Sequence, residues 1–566
     1  MGQKFGFAEK TIYLCTEKCS TPINPIILIH IETMKPLFPL FSFLVLFATS
    51  VVAQNPYLPL WEFIPDGEPY VFEDPDQPGQ YRVYIYGSHD NLVTMYCGLD
   101  QVVWSAPVDD LRHWRYDGVI FESKKDALGN NLHPDGKGDV LFAPDVNEVI
   151  GKDGAKTYYL YPNNQAGGRQ TMVAKASRPD GPFEVCNWSP DNPKQTVGIL
   201  GFDPAVFTDT DGRTYAYWGF EQSNGAELDP TTMATVKPGT KIVENMIPSS
   251  KQDHTYRFFE ASSMRKIEDK YVFVYSRVTN DGEDGLHSCN YTLAYCYGNH
   301  PLGPWTYGGT IIDGRGKEHR PDGTTVATAT PFGNTHGSIC KIGDQWYVFY
   351  HRQAGTNEYG RQAMVAPLRV EVVPGEDGYV RISEAEFTSE GFLVDGLDPY
   401  ETYPAGIACY YMGPEPATQD YPNVNYPGSH TQIVRGQYHG SIDAYDLSVN
   451  RCPMVNNTAG SVVGYKYYNF SKTFGQTGLK LALDYTPDGV AGRIDIFLDR
   501  PSEAEGGVRL GSLNVSTEGI GQPSTAKIEL EQLKYYNGKH ALFFVFDAAM
   551  PKQSICQLNY LHFMKD

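Results

Sequence analysis

The chain lacks several features that would place it in common functional classes. Basic residues are scarce, since 46 Lys and Arg stand against 67 Asp and Glu, and the formal net charge is -21. Nucleic acids and anionic membranes would repel such a chain, so we predict neither as a partner. The cysteines contain no CxxC pair, which disfavours a zinc site. No stretch keeps a helical apolar period, which disfavours an α/β barrel.

A strongly apolar run occurs close to the N-terminus. A basic residue precedes apolar residues 37–47, and small residues follow up to Ala53. The run is shorter than the roughly 20 residues that span a bilayer, and this order of charge, apolar run and small residues is typical of a signal peptide. We therefore predict a leader over 1–53 with a signal peptide over 34–53, no membrane insertion, and a secreted or periplasmic protein.

Aromatic residues, glycine and proline are abundant instead. Aromatic residues make up 13% of the chain, with 39 Tyr, and there are 56 Gly and 39 Pro. Aromatic side chains suit pleated surfaces and Gly and Pro suit tight turns, so an all-β protein is predicted. A chain of 566 residues is too long for one core and indicates two or three domains. Export permits disulfides, but the cysteine spacing specifies none, so disulfides and buried free thiols stay open.

One repeat occurs five times in the first 370 residues. Each copy begins with a polar residue, continues as a short apolar run, turns through Asp or Gly and returns as an aromatic-rich strand. This pattern predicts a β-hairpin, and a second pair of strands follows it. Four short strands repeated five times indicate a five-bladed β-propeller, which we place at 54–395. The copies begin at Asp66, Asp145, Asp203, Glu260 and His336.

The first residues of the five hairpins are predicted to share one location. The innermost strand of each propeller blade lines the axis, so four acids and a histidine would converge on one cavity. Crowded like charges drive pKa values apart, which a protein rarely tolerates without a use. Cleavage of a glycosidic bond needs one protonated and one ionised carboxyl group, and a third acid can keep the first protonated. The alternative is that these acids only cap strand ends.

Five motifs in this order resemble glycoside hydrolase family 43: IPDGEPYVF, LFAPDV, GFDPAVFTDTDG, FFEASSM and THGSI…YVFYHR. The similarity covers about 55–395, and YGSHD at 86–90 further resembles the arabinofuranosidase-type members. The resemblance implies an inverting hydrolase in which Asp66 is the general base, Asp203 the pKa modulator and Glu260 the general acid. In many members a Gly-Pro pair follows that Glu, whereas here Ala-Ser does.

The same resemblance implies roles for three further residues. Asp145, His336 and Arg361 match positions that line the sugar subsite or support it, and His336 also matches a position near a candidate structural calcium that is held through water. No cofactor is required. For Arg361 the alternative is an ion pair that stabilises a blade.

The implied activity is release of α-L-arabinofuranosyl units from plant cell-wall polysaccharide. The alternatives within the family are a β-xylosidase and an endo-arabinanase or galactanase. An alternative of another class is a non-catalytic glycan-binding propeller, which would have no need for a crowded acidic triad. The related sucrose and fructan hydrolases open with Asn-Asp-Pro, whereas this chain opens with IPDG.

The blade repeat stops after about residue 395. We predict a linker over 396–404 and a β-sandwich over 405–566, because short strands alternate with turns there. VVGYKYYNF, GRIDIFLD, GKHALFFVF and QLNYLHF resemble carbohydrate-binding module family 6. Two positions depart from that family: Val462-Val463 replaces a loop aromatic and Gln557 replaces an Asn. Since such modules stack sugars on aromatic rings, a packing role is the alternative to glycan binding.

Overall fold

The computed structural model describes residues 54–125, 137–164, 172–192, 195–420, 422–441 and 444–565. The predicted signal peptide lies outside these residues. Within them the structure consists of strands and short 3-10 helices and contains no α-helix, so the predicted all-β class is confirmed. None of the described helices is long and apolar enough to cross a bilayer. The 3-10 helices are Glu283–Gly285, Ala405–Ile407, Phe470–Lys472, Glu503–Glu505 and Glu531–Tyr535.

The first four repeats each form a four-stranded antiparallel sheet whose strands are neighbours in chain order. Sheet I contains β1 (Glu68–Glu73), β2 (Tyr81–Tyr86), β3 (Asp100–Pro107) and β4 (Arg115–Glu122). Sheet II contains β5 (Asp145–Ile150), β6 (Lys156–Tyr161), β7 (Ala174–Ala176) and β8 (Glu184–Val185). Sheet III contains β9 (Ala205–Thr208), β10 (Thr214–Trp218), β11 (Asn224–Glu227) and β12 (Val243–Glu244). Sheet IV contains β13 (Phe258–Ile267), β14 (Lys270–Arg277), β15 (Thr292–Gly298) and β16 (Thr306–Asp313).

The fifth repeat forms a three-stranded sheet between two small hairpins. The first hairpin is β17 (Lys317–His319) with β18 (Thr325–Ala327). Sheet V contains β19 (Ser338–Ile342), β20 (Gln345–Gln353) and β21 (Arg361–Leu368). The second hairpin is β22 (Val370–Val372) with β23 (Val380–Ile382). All five hairpins that the repeat predicts are therefore antiparallel strand pairs in the structure.

The first strands of the five sheets lie beside one another. Strand β1 contacts β19, β19 contacts β13, β13 contacts β9, and β9 contacts β5. The Tyr70 hydroxyl on β1 donates a hydrogen bond of 2.7 Å to Asp145 Oδ1 at the start of β5. Because the strands are neighbours in this way, the residues at their starts come close together although they are far apart in sequence.

The residues from Tyr403 onward form two larger antiparallel sheets and one hairpin. The strands are β24 (Tyr403–Pro404), β25 (Tyr410–Met412), β26 (Thr418–Asp420), β27 (Asn423–Asn425), β28 (Gln432–Ile433), β29 (Met454–Asn457), β30 (Val462–Asn469), β31 (Leu479–Pro487), β32 (Gly492–Leu498), β33 (Val508–Val515), β34 (Ser524–Glu529), β35 (Lys539–Asp547) and β36 (Cys556–Lys565). One sheet has the order β28-β29-β36-β31-β34, with β24 also on β36, and the other has the order β25-β30-β35-β32-β33.

One apolar core joins the two larger C-terminal sheets to sheets IV and V. The rings of Tyr468 on β30 and Phe563 on β36 lie 5.4 Å apart, so side chains from the two C-terminal sheets are in contact. Arg352 on β20 is fully buried and donates a hydrogen bond of 2.9 Å to the Ala408 carbonyl. The described residues belong to one compact unit. The domain boundaries at 395 and 405 stay predictions.

The cysteines resolve one alternative that the sequence left open. All eight cysteines after the leader are free thiols, and only Cys186 is not fully buried. Within the described residues the disulfide alternative is therefore wrong.

Candidate active site

A cavity of about 210 Å³ lies at the starts of the first strands. Four of the five residues that begin the repeats line it, as the repeat predicts. Its lining consists of Asp66, Tyr96, Cys97, Phe142, Ala143, Phe202, Asp203, Phe220, Glu260, Asn334, His336 and Arg361. Three carboxyl groups, a histidine and a guanidinium therefore face one small space.

Asp145 departs from that prediction because its carboxyl group does not line the cavity. Both of its oxygens are used between sheets: Oδ1 accepts hydrogen bonds from the Tyr70 hydroxyl and from Val146 N, and Oδ2 accepts one from Val206 N at 2.6 Å. The side chain is buried, and burial together with Glu68 raises the pKa of Asp145 to about 7. Asp145 thus joins sheets I, II and III, and its predicted contact with substrate finds no support in this position.

The Asp66 carboxyl group is held in a fixed orientation by two groups. Its Oδ2 accepts a hydrogen bond of 2.5 Å from the Ser88 hydroxyl, and its Oδ1 accepts one of 3.0 Å from Arg361 Nη1. The backbone has φ 62°, a left-handed conformation that Asp tolerates better than most residues. Burial alone would raise the pKa of Asp66, but Arg361 and the other groups around it outweigh burial and lower it.

A histidine that sequence reasoning missed lies beneath Asp66. His351 Nδ1 accepts a hydrogen bond of 3.3 Å from Asp66 N, and His351 Nε2 donates one of 2.8 Å to the Asn334 carbonyl. Burial lowers the pKa of His351 to about 3, so the ring is neutral at physiological pH. It therefore fixes the backbone of Asp66 without adding a charge.

Arg361 forms the centre of an ion-pair network that includes Asp90, a second residue that sequence reasoning missed. Asp90 Oδ2 accepts hydrogen bonds from Arg361 Nε at 2.9 Å and from Arg361 N at 3.1 Å, while its Oδ1 accepts one from Arg361 Nη2. Asp90 is fully buried and belongs to the YGSHD segment, which gave a signal for the family but none for this pairing. Arg361 thus contacts Asp66 directly. It also forms, with Asp90, an ion pair of the kind that the sequence offered as its alternative role.

Asp203 is connected to the strand that carries Glu260. Asp203 Oδ1 accepts a hydrogen bond of 3.0 Å from Asn163 Nδ2, and its Oδ2 accepts one of 3.2 Å from Ala261 N. Asp203 and Ala261 both have left-handed backbones, with φ 50° and 67°. Strained backbone at such positions persists only where the surroundings impose it and is frequent at functional sites.

Glu260 lies between two irregularities of β13, which shift the strand register on both sides of it. Its carboxyl group forms no hydrogen bond with any side chain or backbone group of the described residues, although the residue is only 9% exposed. Burial and the nearby carboxylate of Asp203 hold the pKa of Glu260 well above its usual range, against the opposing charge of His336. The cavity therefore holds one carboxyl group whose pKa is lowered, Asp66, and one whose pKa is raised.

His336 lies between acidic groups. Its Nδ1 is 3.3 Å from Asp203 Oδ2 and its Nε2 is 3.9 Å from Glu68 Oε1, but neither nitrogen has a hydrogen-bond partner among the described side chains. Burial alone would lower the pKa of His336, but Asp203, Asp66 and Glu68 raise it to about 9. A protonated imidazolium does not ligate a cation, and Ca²⁺ requires six or more oxygen ligands. Within the described ranges no group of three or more His, Cys, Asp or Glu side chains is arranged to hold a metal ion.

The C-terminal segment 422–435 contacts the loop that precedes Arg361. Glu358 N donates a hydrogen bond of 3.2 Å to the Pro422 carbonyl, and Arg435 Nη1 donates one of 2.7 Å to Asn357 Oδ1. A side chain at Gly360 would come within 2.0 Å of Arg435 Cδ, so a larger residue there would displace the Arg435 side chain. The segment therefore supports one wall of the cavity.

A larger cleft of about 770 Å³ lies between sheet I and residues 438–441 and 444–446. The rings of Trp61, Trp104 and Trp114 lie at its floor but are less than 5% exposed. Its buried carboxylate, Glu62, is occupied by hydrogen bonds to the Trp104 indole and His89. The described part of this cleft has no pair of free carboxyl groups facing each other, so the smaller cavity is the candidate active site.

Paired carboxyl groups with opposite pKa shifts in one cavity define a glycosidase-type site. Residues 69–372, more than half of the chain, match the sequence profile of glycosyl hydrolases family 43. A "Xylosidase/arabinosidase" of Thermoclostridium stercorarium is 34% identical over 435 residues, which are 73% of this chain and 82% of that protein. The chain therefore belongs to glycosyl hydrolases family 43, as its motifs predict, and it is a glycoside hydrolase.

Two further comparisons are more distant. An "Arabinoxylan arabinofuranohydrolase" of Paenibacillus polymyxa is 26% identical over 512 residues, which are 86% of this chain and 69% of that protein. The crystal structure of a family 43 arabinoxylan arabinofuranohydrolase from Bacillus subtilis with cellotetraose covers 92% of this chain and 100% of that chain at 22% identity, with a TM-score of 0.42.

Proposed function

We propose that this protein is an inverting, exo-acting glycoside hydrolase that releases α-L-arabinofuranosyl units from arabinoxylan-type polysaccharide. Asp66 is the general base, Glu260 the general acid, and Asp203 the group that keeps Glu260 protonated. The observation that carries this proposal is the opposite shift of two pKa values in one cavity, lowered at Asp66 and raised at Glu260.

The chemistry follows from these protonation states. Ionised Asp66 takes a proton from a water molecule, and the water oxygen attacks the anomeric carbon. The glycosidic bond breaks as Glu260 gives its proton to the leaving oxygen. Water attacks from the side opposite the leaving group, so the configuration at the anomeric carbon inverts. Arg361 keeps Asp66 ionised and oriented, and Asp203 places a negative charge beside Glu260.

The size of the cavity supports release of a single sugar. Its volume of about 210 Å³ is below the roughly 300–1,000 Å³ of pockets that enclose drug-sized ligands. A small cavity of this kind suits one pentose unit better than a long polymer segment, which an endo-arabinanase or galactanase would bind. A non-catalytic glycan-binding protein would have no use for a protonated Glu260 beside an ionised Asp66.

The names of the relatives suggest the sugar. The relative with 34% identity is named for xylosidase and arabinosidase activity, and a second relative for action on arabinoxylan. Release of β-D-xylosyl units is therefore the second candidate. Both are pentoses on the same kind of polymer, so the acid and base would act in the same way on either.

The arrangement of the sheets supports a propeller. We propose that sheets I to V are the five blades, with their first strands around one axis and the cavity at one end of it. The successive contacts of β1, β19, β13, β9 and β5 support this proposal, and so does the contact of Tyr70 with Asp145. The predicted calcium near His336 stays a prediction, and no step of the proposed reaction depends on it.

The C-terminal region is proposed to be a β-sandwich with a packing role. Val462, which stands where the similar modules have a loop aromatic, packs against the apolar cluster of Tyr410, Phe497, Ala541 and Phe543. The contacts of segment 422–435 with the loop before Arg361 support the same role. Resemblance to carbohydrate-binding module family 6 and export by the predicted signal peptide rest on the sequence alone.

Two measurements test the proposed activity. The purified protein should hydrolyse 4-nitrophenyl α-L-arabinofuranoside faster than the β-D-xyloside and should release arabinose from arabinoxylan. NMR of the first sugar formed should show the anomer opposite to that of the substrate. Retention of configuration would refute Asp66 as the base, and a faster β-D-xyloside reaction would favour the second candidate.

A further inference from the structure

Four phenylalanine rings form a continuous row at the rim of the cavity. The ring centroids of Phe142 and Phe202 are 5.6 Å apart, those of Phe202 and Phe220 are 5.6 Å apart, and those of Phe220 and Phe259 are 4.9 Å apart. The first three of these residues line the cavity itself. The row is the apolar part of a site whose other walls are mostly charged.

Phe220 is the exposed member of this row. Its side chain is 52% exposed, although burying a large apolar side chain would stabilise the fold by about 1.5–3 kcal/mol. Unlike a singly exposed ring, Phe220 is continuous with Phe202 and Phe259 at a cavity, and a contiguous apolar patch of this kind indicates a surface that a ligand covers.

The backbone holds Phe220 rigidly in this position. Gly219 N donates a hydrogen bond of 2.8 Å to the Phe202 carbonyl, and Glu221 N donates one of 2.6 Å to the Phe259 carbonyl. Gly219 has φ 146°, and a side chain there would come within 1.8 Å of the Gln222 carbonyl oxygen, so only glycine makes this turn. A ring that is fixed before the ligand arrives loses little conformational entropy on binding.

Two members of the row are adjacent in the chain to the acid and to Asp203. Phe202 precedes Asp203 and Phe259 precedes Glu260 in the chain, whereas Asp66 is hydrogen-bonded to Arg361, whose guanidinium lies over the Tyr96 ring. Glu260 protonates the leaving oxygen, so the sugar that leaves extends from the cavity on the side of the phenylalanine row.

We propose that Phe220, with Phe202 beside it, is a stacking platform for the main-chain pyranosyl ring that carries the released pentose. The proposal rests on the proposed function and names its leaving-group subsite. The axial C–H groups of a pyranose with equatorial hydroxyls form an apolar face, and such a face packs on an aromatic ring while the hydroxyls stay in water.

The test compares a polymer with a substrate whose leaving group has no ring. Phe220→Ala should lower kcat/KM on arabinoxylan roughly tenfold, mainly through a higher KM, which corresponds to about 1.4 kcal/mol. The loss should be several times smaller on α-L-arabinofuranosyl fluoride, because the leaving fluoride is a single atom that cannot contact Phe220. Phe220→Tyr should restore the polymer activity and Phe220→Leu should not, since the platform needs a flat ring.

Phe474→Ala is the matched control. Phe474 is 53% exposed and lies in the C-terminal region, so its loss should change neither substrate's kcat/KM. Equal losses on polymer and fluoride in Phe220→Ala, or full activity of Phe220→Leu on the polymer, would overturn the platform. If the wild-type protein hydrolyses neither substrate, the proposed function is refuted. The stacking role of Phe220, which rests on that function, is then refuted as well.

Discussion

Arg361 Nη1 donates a hydrogen bond of 3.0 Å to Asp66 Oδ1, and both residues are buried in the same cavity. The guanidinium also binds Asp90 through Nε and Nη2, so its position does not depend on Asp66 alone. A buried carboxyl group without such a partner would tend to take up a proton. Asp66 can remain ionised in this cavity because Arg361 is held beside it.

The acid limb of the pH profile should depend on this pair. A general base is active only when ionised, so activity falls as the pH drops through its pKa. Without the guanidinium, burial would raise the pKa of Asp66, and Arg361→Met should therefore move the acid limb of kcat/KM to higher pH. Arg361→Lys keeps a charge and should move it less. An acid limb that stays in place, or moves to lower pH, would contradict the proposed role.

Arg361→Met also leaves the carboxylate of Asp90 buried without its partner. Removal of one member of a buried pair typically destabilises a protein by about 3–5 kcal/mol. Thermal melts of the variant should show this loss, and the pH profile should be measured well below the melting temperature so that the two effects are separate.

Replacement of Asp203 should move the basic limb of the pH profile, and it should move it to lower pH. Glu260 acts only when protonated, so activity falls as the pH rises through its pKa. Asp203→Asn removes a negative charge that raises the pKa of Glu260, and the basic limb of kcat/KM should move to lower pH. Asn tolerates the left-handed backbone at this position. The control is Asp211→Asn, the same change on the exposed turn of sheet III, and an unshifted basic limb in Asp203→Asn would refute the role of Asp203.

The general acid and the general base should be distinguishable by how strongly the loss of activity depends on the leaving group of the substrate. Asp66→Asn should lower kcat by roughly 10²–10⁴-fold with every substrate, because water activation is lost. Glu260→Gln should cause a comparable loss on arabinoxylan but a much smaller one on a nitrophenyl glycoside, whose leaving group hardly needs a proton. Steady-state kinetics on the two substrates measures the difference. Near-normal activity of Asp66→Asn would end its assignment as the base.

The C-terminal region should affect catalysis through Arg435. Arg435→Ala removes hydrogen bonds to Asn357 Oδ1 and to the Val93 carbonyl, and so loosens the loop that leads to Arg361. We expect kcat/KM to fall roughly 10- to 100-fold, because small displacements of catalytic groups are costly. The acid limb should also shift upward, as in the Arg361 variants.

Arg509→Ala is the control for this prediction. Arg509 pairs with Asp495 inside the C-terminal region and has no contact with the cavity walls named above. If both variants lose only thermal stability and keep the pH profile of the wild type, Arg435 has no positioning role.

Sequence periodicity was sufficient to predict the local elements, the five hairpins. Each hairpin brings together residues that are near in the chain, so apolar alternation and a turn sequence determine it, and all five were predicted. The starts of four of these hairpins, at Asp66, Asp203, Glu260 and His336, do line one cavity. Asp145 occupies the same place in the repeat, but its side chain turns away toward Tyr70 and Val206, a difference that the repeat does not encode.

The sequence by itself determined the all-β class, the family and the residue types that could perform acid–base chemistry, because these depend on local patterns and on motifs. Only the tertiary structure decided which groups surround, orient and, in the case of Arg361, charge-stabilise each carboxyl group. Arg361 and His351 are nearly 300 residues from Asp66 in the chain, and Ala261 is 58 residues from Asp203. A pKa depends on burial and on charges within a few ångströms, and both arise only when distant parts of the chain are packed together.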